Sequence, residues 1–164
     1  MSVNVPIALR PAGPGDADFV QMLFVSARER ELAPLPPATR DLLARHQHEA
    51  HQRGVAVTFP EARVMIVLGP ATVAGTPGES VGMVVLAERP PVLWVVDLAV
   101  HPRCRNMGLG SAVLRRLMED CRRRSWTLKG SVAPHNPARR LYARLGIEEL
   151  GLERGYVELA WKAV

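Results

Sequence analysis

Apolar positions along the chain alternate between short runs and helical stripes. Ile7-Ala8-Leu9-Arg10 is a brief run closed by Pro11-Ala12-Gly13-Pro14-Gly15, which predicts a first strand and a turn. Behind Asp16 as a cap, Phe19, Val20, Leu23, Phe24 and Ala27 recur at three- and four-residue spacing. That spacing predicts a helix to about Glu31, broken before Pro34, Pro36 and Pro37. A second helix is expected over about 39–53, with Leu42, Leu43, His46 and Ala50 on one side and Gly54 as its stop. Residues 63–68 and 80–88 then read as neighbouring strands joined by a turn-rich loop over 71–78. The run Val92 to Val100 is the most hydrophobic and suits the centre of a sheet, yet it carries one carboxylate, Asp97.

The second half repeats the strand, loop, helix order. After His101-Pro102 comes a basic, glycine-containing loop, then a helix over about 108–124 with Val113, Leu114, Leu117, Met118 and Cys121 as its apolar stripe. Residues 126–133 read as a strand, and Pro134-His135-Asn136-Pro137 opens a short helix with Ala138, Leu141, Tyr142 and Leu145 inside, stopped by Gly146. Residues 147–150 and 156–161 predict two last strands. Interleaved strands and helices place the chain in the α/β or α+β class with a mixed sheet.

Composition narrows the setting. With 164 residues, 48% hydrophobic and 23% charged, the chain is expected to form one globular domain over 1–164. Two cysteines do not make a disulfide scaffold, and neither a leader-like segment nor a membrane-length apolar run is read, so a cytoplasmic protein is expected. A net charge of +5 favours an anionic ligand.

Arg103-Cys104-Arg105-Asn106-Met107-Gly108-Leu109-Gly110-Ser111 lies between the central strand and an amphipathic helix. Backbone N–H groups of a glycine loop opening a helix form a site for phosphate, and the arginines add charge-assisted contacts. The Rossmann pattern G-x-G-x-x-G is absent, and no lysine stands between Gly110 and Ser111 as a P-loop requires.

Leu98-Ala99-Val100-His101-Pro102, then Arg105-x-x-Gly108-x-Gly110, then Asn136 to Gly146 (Asn-Pro-Ala-Arg-Arg-Leu-Tyr-Ala-Arg-Leu-Gly), resembles the GCN5-related N-acetyltransferase family. The likeness is clearest over 81–146. It implies a mixed, mostly antiparallel sheet of six to seven strands flanked by about four helices and splayed near the cofactor, with acetyl-coenzyme A as donor. It further implies that Leu98, Ala99 and Val100 run along the pantetheine through a bulge, and that Arg105, Asn106, Met107, Gly108, Leu109, Gly110 and Ser111 wrap the pyrophosphate. Asn136 then bonds the cofactor arm and Tyr142 faces the sulfur. The family's usual glycine after the loop arginine is here Asn106, which visits left-handed backbone more readily than other side chains, and its usual aromatic after Leu-Gly is Ile147.

Acetyl transfer to an amine needs a neutral nucleophile, a polarised carbonyl and a stabilised thiolate. A lysine-like amine is neutral about once in 2,500 molecules at pH 7, so Asp97 is the candidate base or ammonium-orienting group. Tyr142 is the candidate donor to the thiolate. Full proton transfer runs uphill by about 2 kcal/mol unless a neighbour such as Arg139 lowers the phenol. His46-Gln47-His48-Glu49-Ala50-His51 resembles a metal motif but misses H-E-x-x-H by one position, and His46 and His48 point roughly 200° apart, so it reads as a solvated helix face, with a role at the substrate entrance as the alternative. No metal is expected. The acceptor is a small-molecule or protein amine, the competing readings are a coenzyme A sensor without turnover and a basic nucleic-acid-binding protein, and relatives often form homodimers. Few aromatic residues, 5%, argue against nucleic acid.

Overall fold

The computed structural model describes residues 4–70 and 78–164, so most of the expected loop at 71–78 lies outside the described residues. Seven strands form one sheet: β1 (Ala8–Pro11), β2 (Arg63–Gly69), β3 (Glu79–Arg89), β4 (Val92–Val100), β5 (Thr127–Val132), β6 (Glu148–Glu153) and β7 (Tyr156–Lys162). The order is β1-β2-β3-β4-β5-β7-β6, with β4–β5 parallel and every other pair antiparallel. The most hydrophobic strand, β4, stands fourth of seven, as expected, but it is half-buried along most of its length and β3 is the most buried strand. Five helices are described: α1 (Ala17–Ala27), α2 (Glu29–Leu32), α3 (Pro37–Thr58), α4 (Leu109–Arg124) and α5 (Arg139–Arg144).

Each face of the sheet is covered by a different part of the chain. The predicted stripe of α4, Val113, Leu114, Leu117, Met118 and Cys121, is buried, together with Leu109, against Val67, Val84, Leu86, Leu93, Leu128 and Leu159. On the opposite face, Leu23 of α1 meets Ile66 and Met83, with Phe19, Val20 and Ala99 beside them. Neighbouring residues of β2 and β3 divide between the two clusters, Ile66 from Val67 and Met83 from Val84, as the two-residue period of a strand requires.

Several boundaries differ from expectation. The first helix breaks at Arg28 rather than running to Glu31. The Ser26 hydroxyl donates to the Leu23 carbonyl at 2.9 Å, a back-bond that competes with helix continuation. The second helix passes through Gly54 to Thr58, because an isolated glycine in open space weakens a helix without ending it. Its inner face is also not the expected one: Ala44 and His48 are buried, while Leu42 is 57% and Leu43 39% exposed. The last hairpin is longer than expected and turns on Arg154-Gly155, both at positive φ (51° and 85°), the pattern of a two-residue primed turn. Strand β6 forms one sheet edge and is exposed along its whole length, with a register shift at Gly151.

Two local constraints yield predictions. A Cβ on Gly82 would lie 2.5 Å from the Ala99 carbonyl oxygen, inside the β3–β4 ladder. Gly82→Ala is expected to destabilise the protein by about 1–3 kcal/mol, read from the denaturant midpoint. Asp16 accepts two bonds from Arg10 (2.7 and 2.8 Å) and one from the Gly13 N–H (2.8 Å), which tie β1 to the start of α1. The Arg10 guanidinium, with the Gly13 N–H, holds the Asp16 carboxyl down at about 2. A depressed acid stabilises above its unfolded pKa, so this contribution is complete above about pH 4. It is lost as pH falls toward about 2. The stability gap between parent and Asp16→Asn is expected to shrink across that window.

Candidate active site

The centre of the molecule is organised by one extra residue in β4. Leu86 pairs with Val95 and Val85 with Asp97, so Val96 has no partner on β3. Before this bulge, Leu93 and Val95 pack toward α4; after it, Leu98 and Val100 do. Without the insertion Asp97 would share the face of Leu93 and Val95; with it, Asp97 turns toward α1 and α3, as Ala99 does.

There Asp97 is held from two sides. Its Oδ1 accepts the Leu98 N–H at 3.0 Å, and its Oδ2 lies 3.2 Å from Nε2 of His51 on α3. The Phe24 ring packs against both His48 and His51, with centroids at 4.8 and 5.3 Å, and the Arg28 guanidinium lies 3.5 Å from the Phe24 centroid. His48 is only 9% exposed. Burial pushes its imidazole below the ordinary value, and the charges of His51 and Arg28 add to the effect. The expected solvated histidine face is therefore wrong for His48 and His51. Comparing His46 with His48 hid the informative pair, since His48 and His51, three apart, share a helix face.

The same bulge ends the β4–β5 ladder. Pairing runs from Val92–Thr127 to Val95–Gly130 and stops. A bulge increases local twist, so the strands diverge beyond it. A small cavity fills the fork, lined by Val95, Leu114, Gly130, Ser131, Tyr142 and Ile147. Burial pushes the Tyr142 phenol above its ordinary range, and the charge of Asp97 raises it further. Tyr142 packs with the α4-side core while Asp97 faces α3, so the two approach the gap from opposite faces. The expectation that Arg139 could lower the phenol is corrected: Arg139 is engaged by both carboxylate oxygens of Glu149, at 2.8 and 2.9 Å. Ile147, expected to be a packing change, is buried in the α4-side core.

The loop before α4 has the backbone its residues anticipate. Asn106 (φ 60°) and Gly108 (φ 80°) both adopt left-handed conformations, and Gly108 caps the helix start. Arg105, Asn106 and Met107 are exposed, Leu109 is buried, and Gly110 and Ser111 are half-buried in the first turn. A Cβ on Gly110 would lie 3.2 Å from Leu141, so a glycine there lets α4 meet the chain around α5 closely. Arg103 pairs with Glu79 at 2.7 Å, while the Arg105 guanidinium lies 3.4 Å from the Ser26 hydroxyl. Asn136 spends its Oδ1 on the Ala138 N–H at 2.9 Å, at the start of α5. A groove of about 380 Å3 between α1 and α3, floored by Val64, lies on the Asp97 face and is lined by His48, Arg45 and Glu49.

A model of the acetyltransferase (GNAT) family matches residues 34–147, well over half of the chain. The chain belongs to that family. GNAT proteins use acetyl-coenzyme A and act on amine acceptors. The fold is shared with PaiA N-acetyltransferase of Thermoplasma acidophilum in complex with coenzyme A, at TM-score 0.69 and 10% identity over 96% of this chain and 99% of that one. It is shared likewise with an acetyltransferase of Thermus thermophilus (TM-score 0.63, 17% identity, 98% and 99% covered). A third match is a GCN5-related N-acetyltransferase structure of Rhodopseudomonas palustris (TM-score 0.65, 18% identity, 98% of each chain). A comparison with curated protein sequences finds no match. The seven-stranded, mostly antiparallel sheet agrees with the GNAT architecture expected from the motifs. Among the described residues, no helix is long and apolar enough to cross a membrane.

The position of Tyr142 can be checked without substrate. Ultraviolet absorbance difference between parent and Tyr142→Phe across an alkaline titration isolates this phenol. Its ionisation is expected to be displaced to alkaline pH from ordinary tyrosine, and Asp97→Asn is expected to move it back part of the way.

Proposed function

We propose that residues 1–164 act as one N-acetyltransferase domain in the cytoplasm. It passes the acetyl group of acetyl-coenzyme A to a primary amine, small or protein-borne, by direct attack in a ternary complex. The observation that carries this reading is the fork between β4 and β5, with Tyr142 entering from one face and Asp97 from the other. The donor supplies a thioester whose sulfur leaves as a thiolate.

The fit to this donor is local. The edge of β4 beyond Val95 has no ladder to β5, so the peptide groups of Leu98, Ala99 and Val100 lie along an open fork where an extended pantetheine arm can hydrogen-bond. Arg105, Asn106, Met107, Gly108, Leu109, Gly110 and Ser111 surround the N-terminus of a 16-residue helix. Its orphan N–H groups and dipole favour a pyrophosphate, and two left-handed residues bring the backbone close to it. Asn136, whose Oδ1 is taken by the Ala138 N–H, would meet the arm through its Nδ2 group.

The chemical roles follow from the two faces. Tyr142 keeps its proton, because burial raises it, and so donates a hydrogen bond to the developing thiolate rather than exchanging a proton with it. Asp97 would attract and orient an ammonium group arriving over the α1–α3 face.

A thiol-release assay with acetyl-coenzyme A over a panel of primary amines tests this reading, beside calorimetric coenzyme binding. Turnover by the parent is expected. Tyr142→Phe is expected to lose about 100-fold in kcat, the size of one preorganised donor, with coenzyme affinity retained. Arg105→Ala is expected to weaken coenzyme binding about tenfold, or ~1.4 kcal/mol. Coenzyme binding with no turnover on any amine would favour a sensor, and no binding would overturn the assignment of the loop.

A further inference from the structure

Resting on the reading of acetyl transfer above, the geometry around Asp97 assigns a role to a residue outside the sequence motifs. We propose that His51 is the proton acceptor of the transfer and that Asp97 is its positioning residue. Asp97 has both carboxylate oxygens engaged, Oδ1 by the Leu98 N–H at 3.0 Å and Oδ2 by His51 Nε2 at 3.2 Å. A carboxylate oxygen accepts, so Nε2 carries the hydrogen and Nδ1 of the neutral ring keeps the open lone pair. The imidazole therefore offers what an ammonium must find, while the carboxylate fixes its tautomer and stabilises the imidazolium once formed.

Packing holds this ring in one place. Phe24 of α1 lies against it at 5.3 Å between centroids, and α3 is a 22-residue helix that supplies His51 on the same face as buried His48. Both members of the pair reach solvent, with side chains 34% and 29% exposed, so an amine or a single water can approach from the α1–α3 side. The groups facing His51 are Asp97 from β4, His48 from its own helix, and Arg28 stacked on the shared Phe24 ring. Tyr142 lies beyond Asp97 at the fork.

The proton count closes. One ammonium proton passes to Nδ1, directly or through a water, and then to solvent. The freed amine lone pair forms the N–C bond at the acetyl carbonyl carbon. The C–S bond breaks with its electron pair going to sulfur, and the second proton released as the amide forms neutralises that sulfur.

The test compares pH profiles of kcat/KM for the parent, His51→Gln and Asp97→Asn on a turned-over amine from the panel, with calorimetric coenzyme binding on each. The parent is expected to rise with pH and then level off, because the protein itself supplies the base. His51→Gln is expected to be at least about 100-fold lower near neutrality with unchanged coenzyme affinity. It should keep climbing roughly tenfold per pH unit, because only solution supplies free amine, so the gap closes at alkaline pH. Asp97→Asn, which removes the carboxylate that holds the ring, is expected to lower kcat/KM with unchanged coenzyme affinity. A His51→Gln profile with the parent's shape overturns the proposal while leaving acetyl transfer standing; a parent inactive on every amine overturns both. Nitrogen NMR of the parent gives a readout apart from activity, with the His51 signals assigned by their absence in His51→Gln. An Nε2–H tautomer whose signals move in Asp97→Asn supports the assignment, and an Nδ1–H tautomer refutes it.

Discussion

One unpaired residue in β4 is the constraint on which the site depends. Val96 stands where β3 supplies no residue between Val85 and Leu86, and this reverses which face the following side chains take. Without it, Asp97 would point among Leu93, Val95 and the apolar stripe of α4. An unpaired carboxylate in that layer would cost several kcal/mol. The insertion resolves the conflict between a hydrophobic central strand and a charged residue inside it. It also ends the parallel ladder to β5, so one local irregularity both turns the carboxylate outward and opens the fork.

The irregularity is confined by what flanks it. On one side the β3–β4 pair is drawn so close at Gly82 that no side chain fits against the Ala99 carbonyl. On the other, the last β4–β5 pair brings Gly130 to within 3.2 Å, measured from its ideal Cβ, of the Val95 carbonyl. Glycines on both neighbouring strands therefore accommodate a distorted strand, and α4 clamps the apolar side through Val113, Leu114 and Leu117. The groups that face one another across the fork are thus carried on strands and packed helices, where their separation is fixed by the core rather than by loop conformation.

Much of this was legible beforehand because it is written in local patterns. Short apolar runs bounded by turn residues located all seven strands, period-3.6 stripes located the main helices, and the motif residues from Leu98 to Gly110 and Asn136 to Gly146 pointed to the GNAT architecture. Asn106 adopts the left-handed backbone its side chain permits. What stayed hidden depends on contacts between distant segments. The histidines of α3 read as solvated because Leu42, Leu43, His46 and Ala50 were expected on its inner side, whereas Ala44 and His48 turn inward and Leu42 and Leu43 are exposed. Only the packing of Phe24 against both rings and the approach of β4 reveal that His51 meets Asp97, 46 residues away. Arg139 was likewise assigned to the phenol by proximity in sequence, whereas Glu149 captures it across the turn into β6.

A sheet that parts in the middle puts unusual weight on its two rims. The first rim, β1, is four residues long and ends on Pro11, which has no N–H to offer an incoming strand. The other, β6, presents Leu150 and Leu152 to solvent, 61% and 68% exposed, but sets them among Glu148, Glu149 and Glu153 and bends at Gly151. Shortness at one end and repelling charge with a kink at the other are defences against edge-to-edge growth. The unpaired peptide groups of the interior fork are thus open to a ligand, while those at the two boundaries are guarded against an incoming strand, where polymerisation would begin.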